Sequence, residues 1–378
     1  MFRRLPRVNH FFLYIEVGEV RENCTDITVD MSEMSARFFK FEKNFRERLV
    51  LSICSNKKIS ISCMRKNAKN SGLRKFEVEL LSIIDKLVPE SLIEINESGT
   101  VINFSPGKCV TSKIFHKILT FRGISYYTEF IIYILLVNPY KTEIKISGLR
   151  ALNLDVSLEN ILYVTIPLVR KIGTQDLRLK IFSNFFSLLN NTELILLSSN
   201  FYAKKKFHMI DPGILRKVRI IFTFSSKKCA LESHNEELND RLLKFSEVTQ
   251  KFYNLHIPNK NICFQSVSLI GETSTGCLYG TDYSSMVKKS NGFWNRKTVQ
   301  LLNFLLEYMN TRSCIDGENQ AFVLFNMLNS KNSSKNMVNI FKLTINSVQL
   351  LRDVKTLIGI TFSIRFNQEK NSLIIHKN

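Results

Sequence analysis

The most regular pattern of apolar and polar positions runs from 70 to 107 and predicts a helix followed by a β-hairpin. In its first half, apolar side chains recur every three or four residues, which places them on one helical face. These residues are Leu73, Phe76, Leu80, Ile84 and Leu87. Pro89 ends the helix, and β-rich runs at 92–95 and 100–104 flank the turn sequence Asn96-Glu97-Ser98-Gly99.

Similar patterns alternate along the rest of the chain. Helical spacing of apolar residues occurs at 123–136, 158–169, 236–252, 298–310, 318–328 and 348–357. Strand patterns occur at 143–147, 177–182, 218–224, 264–270, 277–283, 340–345 and 360–365. No long run typical of a buried parallel sheet is present, and the order helix, strand, turn, strand recurs. The pattern therefore predicts an α+β fold built as an α/β sandwich.

The charge of the chain favours a polyanionic partner. Lys plus Arg number 53 and Asp plus Glu number 33, so the formal net charge is +20. Such a surplus attracts nucleic acid or an anionic membrane. The alternative is compositional drift, because the whole chain is rich in Lys, Asn, Ile and Phe. The densest apolar run, 130–137, is too short to span a bilayer, so we expect no membrane partner.

The cysteines and histidines do not predict a metal site. The eight cysteines include no CxxC pair, and no histidine lies at zinc-ligand spacing from them. A disulfide framework is equally unexpected, and a reducing compartment fits this cysteine pattern. No secretory signal is expected, because Arg3, Arg4 and Arg7 precede only a short, polar-interrupted apolar run.

Five ordered motifs give the chain a family resemblance. They are the 70–107 segment, Arg122-Gly123-Ile124-Ser125-Tyr126-Tyr127-Thr128-Glu129, Asp211-Pro212-Gly213 with its following basic residues, Gly271-Glu272-Thr273-Ser274-Thr275-Gly276, and Cys314-Ile315-Asp316 with Asn319-Gln320. Together they resemble the RNA 3′-terminal phosphate cyclase superfamily, and most of all its non-cyclase branch, the cyclase-like proteins of small-ribosomal-subunit assembly. A helix reading Arg46-Glu47-Arg48-Leu49-Val50-Leu51-Ser52 precedes them and resembles the first helix of the family.

The resemblance implies a domain organisation. It predicts three repeated βαβαββ-type units around a pseudo-threefold axis, with a smaller α/β insert domain. We expect the repeat body at 37–194 and 291–368 and the insert at 195–290. Residues 1–36 are an unassigned N-terminal extension, and 369–378 are expected to be a polar tail.

The resemblance also identifies where cyclase chemistry would lie. Cyclases form a covalent nucleotidyl-histidine three residues before an Asp-Gln pair, because a neutral imidazole is a good nucleophile near pH 7. Here the pair reads Asn319-Gln320, and Asp316 stands at the histidine position. A carboxylate repels a triphosphate. Glycines that would cradle phosphate are also missing at 41–43 and 183–192. We therefore expect no cyclase activity, no cofactor and no bound metal.

Three functions are consistent with these residues. The first is a non-catalytic or weakly catalytic factor of 40S biogenesis that acts in pre-rRNA processing. The second is an endoribonuclease that cuts the pre-rRNA upstream of the small-subunit rRNA, which needs positioned acids or bases. Its candidate carboxylates are Asp155, Asp211, Glu272, Asp282, Asp316 and Glu318. The third is an ATP-dependent RNA 3′-terminal phosphate cyclase, which needs the histidine that this chain lacks.

The resemblance further implies partners and a location. It implies the small-subunit processome, a ribosome-assembly GTPase, and residence in the nucleus and nucleolus. The sequence does not indicate an oligomeric state. Cations that are candidates for contact with RNA phosphate are Lys204, Lys205, Lys206, Arg216, Lys217, Arg219, Arg46, Arg48 and Arg122. No RNP-type aromatic signature is present, so their spread predicts phosphate contact rather than base reading.

Overall fold

A computed structural model gives the architecture of the chain. It describes residues 2–4, 37–40, 44–110, 112–150, 155–173, 177–183, 192–198, 207–224, 240–254, 264–285, 292–329, 336–367 and 372–377. These residues form four sheets and the helices packed against them. The mixed α/β class expected from the pattern is confirmed.

The first sheet contains the helix and hairpin with the clearest sequence pattern. Its elements in chain order are β1 (Phe2–Arg4), β2 (Arg37–Lys40), α1 (Phe45–Ser55), β3 (Ile59–Ser62), α2 (Lys75–Leu87), β4 (Leu92–Asn96) and β5 (Ile102–Ser105). The strand order is β1-β4-β5-β3-β2. Leu80, Ile84 and Leu87 of α2 are fully buried, so the predicted helix and its inward face are confirmed.

The second sheet follows directly. Its elements are β6 (Ser112–Lys117), α3 (Ile124–Val137), β7 (Thr142–Gly148), α4 (Leu158–Asn160), a π-helical turn (Ile161–Thr165), α5 (Ile166–Ile172), β8 (Arg178–Ser183) and β9 (Thr192–Ser198). The strand order is β6-β7-β9-β8. Helix α3 is central to the core, since every residue from Ile124 to Leu136 is buried.

Two further sheets complete the described residues. Strands β11 (Leu215–Phe224), β12 (Glu247–Asn254), β13 (Gln265–Thr273) and β14 (Leu278–Ser285) form a sheet in the order β12-β11-β13-β14. The last sheet has the order β10-β15-β17-β16. Its elements and neighbouring helices are β10 (His208–Met209), α6 (Phe293–Asn310), α7 (Gln320–Asn329), β15 (Met337–Ile340), α8 (Ile345–Ile358), β16 (Phe362–Asn367) and β17 (Ser372–Lys377).

Three of the four sheets share one connectivity. Leaving aside β1, the first two strands of each in chain order are separated by a helical segment and pair in parallel. The fourth strand pairs with the second, and the third strand pairs with the fourth. The resulting orders are β2-β3-β5-β4, β6-β7-β9-β8 and β10-β15-β17-β16. This strand order is compatible with βαβαββ-type units, and both their repetition and the pseudo-threefold axis stay predictions. The expected insert boundary at 194/195 falls inside β9, and the separate β11–β14 sheet begins at Leu215.

Three sequence-based assignments are wrong. The helix predicted at 236–252 is wrong in its second half. Residues 240–242 are helical, but strand β12 begins at Glu247 and pairs in parallel with β11 over its whole length. The strand predicted at 340–345 ends at Ile340, and the side chain of Thr344 caps α8 by accepting a hydrogen bond from the backbone N–H of Ser347. The expected polar tail contains β17, which pairs with both β15 and β16.

A close backbone contact joins the Gly72-Leu73 turn to the Ser98-Gly99 turn of the hairpin. Gly72 has a φ of 77°, and a Cβ at this position would lie 2.4 Å from the carbonyl oxygen of Ser98. The backbone N–H of Leu73 donates to the carbonyl of Gly99 at 3.0 Å. Only glycine fits so close a backbone approach at a positive φ.

No helix among the described residues is long and apolar enough to cross a membrane.

Candidate functional site beside Asp316

Asp316 lies in the turn between α6 and α7 and is fully buried. Its carboxylate accepts hydrogen bonds from the backbone N–H of Gly280 on β14 at 2.8 Å and of Asn319 at 2.9 Å. The Asn319 side-chain amide donates to both carboxylate oxygens, at 2.9 and 3.1 Å. Burial raises the pKa of Asp316 to about 6, while these hydrogen bonds act in the opposite direction. At the position of the lost histidine, the chain therefore has a structural carboxylate that joins two elements.

The Asn319-Gln320 pair is also occupied by structural hydrogen bonds. The Asn319 side-chain oxygen accepts from the hydroxyl of Thr165, in the π-helical turn, at 2.8 Å. The Gln320 amide donates to the carbonyl of Lys342 at 2.8 Å and accepts from the backbone N–H of Thr344 at 2.9 Å. These bonds connect the start of α7 to the second sheet and to the segment before α8. Asn319 and Gln320, which belong to one of the five family motifs, therefore have a structural role in this chain.

A cleft of about 560 Å³ opens next to this turn. Strand β14, helix α6 and the segment 341–345 form its walls, and Phe304 and Ile345 are exposed apolar side chains in its lining. Its charged lining residues are Asp282, Lys297, Glu307, Glu318 and Lys342. Asp316 does not line the cleft, so a bound molecule would meet Glu318 instead.

Glu318 is the ionisable group of this cleft best suited to proton transfer. Burial raises its pKa to about 7, and the negative charges of Glu129, Asp316 and Asp282 act in the same direction. A carboxyl with a pKa near 7 exchanges a proton readily at neutral pH and suits a general acid or base. Burial also raises the pKa of Asp282, which accepts a hydrogen bond from the backbone N–H of Ser157 at 2.7 Å. The structure thus brings together three of the six candidate carboxylates.

The described residues contain no group of three His, Cys, Asp or Glu side chains placed to hold a metal ion. Among the described cysteines, Cys54, Cys63, Cys109, Cys277 and Cys314 do not form disulfides. The remaining candidate carboxylates are elsewhere. Asp155 pairs with Arg122, Asp211 accepts from the backbone N–H of Gly213 at 3.2 Å, and Glu272 lies on β13 opposite Lys217.

Arg46 and Arg122 meet at one aromatic ring. Their guanidinium carbons lie 4.5 and 4.6 Å from the ring centroid of Tyr126. Arg46 also pairs with Glu129 at 2.9 Å, and Arg122 pairs with Asp155 at 2.6 Å. Both arginine side chains are about one-fifth exposed. Each already has a carboxylate partner, so a phosphate at this site would compete with Glu129 and Asp155.

Arg48 does not reach the surface. Its guanidinium is 3% exposed and binds the Asp353 carboxylate of α8 through two hydrogen bonds, at 2.8 and 3.2 Å. This geometry is the strong bidentate form of the ion pair. Arg48 therefore connects the first helix to the last and is not part of a phosphate-binding surface.

One of the three basic residues of β11, Arg219, lies beside an aromatic residue that no sequence pattern indicates. Arg216 and Lys217 are exposed, and Lys217 pairs with Glu247 of β12 at 3.0 Å. The Arg219 guanidinium lies 4.6 Å from the ring centroid of Tyr163, and the Lys251 ammonium lies 6.0 Å from it. Tyr163 belongs to the π-helical turn, a feature common at functional sites. A π turn leaves no periodic signal, so no sequence pattern indicates the contact between Tyr163 and Arg219.

Lys204, Lys205 and Lys206 lie outside the described residues, and their role stays a prediction. The same is true of the glycine-poor loop at 41–43 and of most of the loop at 183–192. Among the described candidates, the structure brings Arg46 to Arg122 and clusters the β11 residues, but these two groups lie on different sheets and helices.

Comparison with known proteins identifies the family. The family model for RNA 3′-terminal phosphate cyclase matches residues 40–364, which is most of the chain. The chain therefore belongs to the RNA 3′-terminal phosphate cyclase family, as the five motifs predict.

Curated relatives place the chain near the cyclase-like members. It is 26% identical over 356 residues to a probable RNA 3′-terminal phosphate cyclase-like protein of Arabidopsis thaliana, covering 86% of this chain and 92% of the relative. It is 24% identical over 329 residues to the human RNA 3′-terminal phosphate cyclase-like protein, covering 84% and 87%. It is also 28% identical over 191 residues to the rRNA processing protein RCL1 of Saccharomyces cerevisiae, covering 50% and 52%.

Proposed function

We propose that this chain is an rRNA-processing factor without RNA 3′-phosphate cyclase activity, and that it acts in the nucleus and nucleolus on the precursor of the small-subunit rRNA. Two yeast relatives, one from Saccharomyces cerevisiae and one from Schizosaccharomyces pombe, carry the name rRNA processing protein. The net charge of +20 suits an RNA partner. By resemblance, we also propose the small-subunit processome and a ribosome-assembly GTPase as partners.

The burial and hydrogen bonds of Asp316 are the main support for the proposal that this chain has no cyclase activity. A covalent nucleotidyl intermediate needs an accessible nucleophile in the cleft. Asp316 is 0% exposed, and its carboxylate accepts four hydrogen bonds from Gly280 and Asn319. An attack on ATP would require this carboxylate to leave the network that joins β14 to α7.

Glu318 favours a second candidate function, an endoribonuclease. Its pKa of about 7 and its place in the cleft lining fit a general acid or base. Lys297 and Lys342 line the same cleft and carry the positive charge that a phosphodiester needs nearby. RNA cleavage without a metal also needs a second proton-transfer group, and the Tyr308 hydroxyl lines the cleft as well.

Three assays with the purified full chain separate the three functions. We expect no acid-labile labelled protein adduct with labelled ATP, no cyclisation of an RNA 3′-phosphate, and no cleavage of a pre-rRNA fragment that includes the region upstream of the small-subunit rRNA. Cleavage that is lost in Glu318→Gln and kept in Glu307→Gln would replace the proposal with the endoribonuclease. A labelled adduct would restore the cyclase.

A further inference from the structure

The outward face of the β6–β9 sheet presents side chains in register across all four strands. Phe115, Lys145, Ile195 and Lys180 lie side by side, one on each of β6, β7, β9 and β8. Side chains alternate between the two faces of a strand, and the neighbours of these residues, such as Ile114, Ile144 and Leu196, are buried on the opposite face. Within the described part of the chain, Phe115 and Lys180 on the outward face are exposed, whereas the inner face is buried.

This outward face is basic. Its cations are Lys113, Lys117, Lys145, Arg178 and Lys180, and its carboxylates are Glu143 and Glu193, which gives 5 − 2 = +3. Lys113 pairs with Glu143 at 3.4 Å, and Lys145 pairs with Glu193 at 2.8 Å. Among the described residues, Lys117 and Lys180 have no carboxylate partner. These two lysines are therefore available for phosphate groups.

The face also carries exposed apolar surface. Phe115 is 56% exposed, and the Lys145 ammonium lies 5.8 Å from its ring centroid. Beyond the end of β6, Leu119 and Phe121 are also exposed, at 78% and 89%. Large apolar side chains this exposed commonly mark a contact surface.

The corresponding positions of the first sheet differ in character. Ser60, Asn103 and Glu94 lie side by side on β3, β5 and β4, which occupy the places of β7, β9 and β8 in the shared strand order. On the remaining strand, β2, the residue in register with Ser60 is Phe38, so an aromatic residue occurs at the position of Phe115 in both sheets. These four positions of the first sheet contain no cation, whereas Lys145 and Lys180 occupy two positions of the second. The two lysines therefore distinguish the face of the second sheet from that of the first.

We propose that the outward face of the β6–β9 sheet binds single-stranded RNA, with Phe115 stacking a base and Lys117, Lys145 and Lys180 meeting phosphates. The assignment rests on the proposed function in rRNA processing. Neighbouring strands lie about 4.8 Å apart and alternate side chains along a strand about 6.6 Å apart, so a few nucleotides cover these residues. An open four-stranded sheet with an aromatic ring and flanking cations suits unpaired bases, whereas an A-form duplex presents no free base faces.

Fluorescence anisotropy with a labelled oligouridylate of about ten nucleotides tests the assignment. We expect Phe115→Ala to weaken binding about tenfold with the salt dependence unchanged, because it removes stacking and no charge. Phe115→Leu keeps an apolar side chain and is expected to lose binding similarly. We expect Lys117→Glu with Lys180→Glu to weaken binding at least tenfold and to lower the slope of log affinity against log salt by about 1.4.

The matched control is Lys58→Glu with Arg352→Glu, which makes the same charge change at exposed positions outside this sheet. This control is expected to weaken binding far less than the lysine pair in the sheet. Equal losses in both double variants, or wild-type affinity in Phe115→Ala and Phe115→Leu, would overturn the inference. In that case a protein partner remains the occupant that suits an exposed apolar and charged face.

A failure of the RNA-binding proposal can be distinguished from a failure of the proposed function in rRNA processing. If cells depleted of the protein process pre-rRNA normally, the proposed function fails whatever the RNA affinity of the sheet. If depletion blocks processing and the Phe115 and lysine variants bind RNA like wild type, only this inference fails.

Discussion

Arg48→Ala is expected to lower the free energy of unfolding by about 3–5 kcal/mol, the largest loss we expect from a single substitution considered for this chain. The substitution leaves the Asp353 carboxylate, which is 3% exposed, without its bidentate partner. The Gln349 amide remains as a donor to Asp353 at 2.9 Å and cannot neutralise its charge. Chemical denaturation of the two proteins measures the difference.

A double variant shows whether the loss comes from the unpaired charge. Arg48→Met with Asp353→Leu removes both charges and keeps apolar volume, and it is expected to recover most of the stability lost in Arg48→Ala. Had Arg48 been the RNA contact that its sequence position suggests, its removal would weaken RNA binding and leave stability nearly unchanged. A loss below about 1 kcal/mol, typical of exposed ion pairs, would contradict the buried geometry.

Glu318→Gln is expected to be slightly more stable than wild type at about pH 8, by less than about 1 kcal/mol, because the Glu318 side chain is exposed and solvent screens most of the effect. The pKa of Glu318 is raised from 4.5 to about 7 in the folded protein, so the folded state binds its proton more tightly than the unfolded chain. Its contribution to stability is therefore fully present below about pH 4.5 and is lost as pH rises to about 7. Glutamine is neutral throughout, so the variant lacks this loss.

Denaturation midpoints across this pH range measure the effect, with Glu307→Gln as the control. Glu307 lines the same cleft and is exposed, as Glu318 is, and its variant should keep the wild-type loss of stability with pH because Glu318 is intact. Identical pH profiles for wild type and Glu318→Gln would show that Glu318 is not a desolvated acid. That result would also remove the observation that favours an endoribonuclease.

Local patterns predicted the fold well where apolar spacing and turn residues agreed. Helix α2 and the β4–β5 hairpin follow from Leu80, Ile84 and the Asn96–Gly99 turn, because one buried face and one tight turn determine them. Strand β12 was mispredicted because its segment has helical spacing, and its pairing with β11 overrides that preference. No strand is predicted for β17, because only three of its residues are continuously apolar and its pairing with β15 is long-range.

The candidate site was less predictable for a physical reason. The motif located Asp316, but its burial depends on Gly280, which lies 36 residues earlier in the chain. The partner of Arg48 lies 305 residues away, so the sequence offered no way to distinguish it from a surface cation. The row of Phe115, Lys145, Ile195 and Lys180 exists only through strand register. The burial of Asp316, the pairing of Arg48 and the row on the sheet all depend on contacts between distant segments, which no local sequence pattern indicates.

The most direct test of the central claim is the length distribution of pre-rRNA in cells depleted of this protein, with wild-type protein restored as the control. An rRNA-processing factor of the small subunit predicts that uncut precursors of the small-subunit rRNA accumulate and that the restored protein returns them to normal. An unchanged set of precursors after depletion would contradict the account.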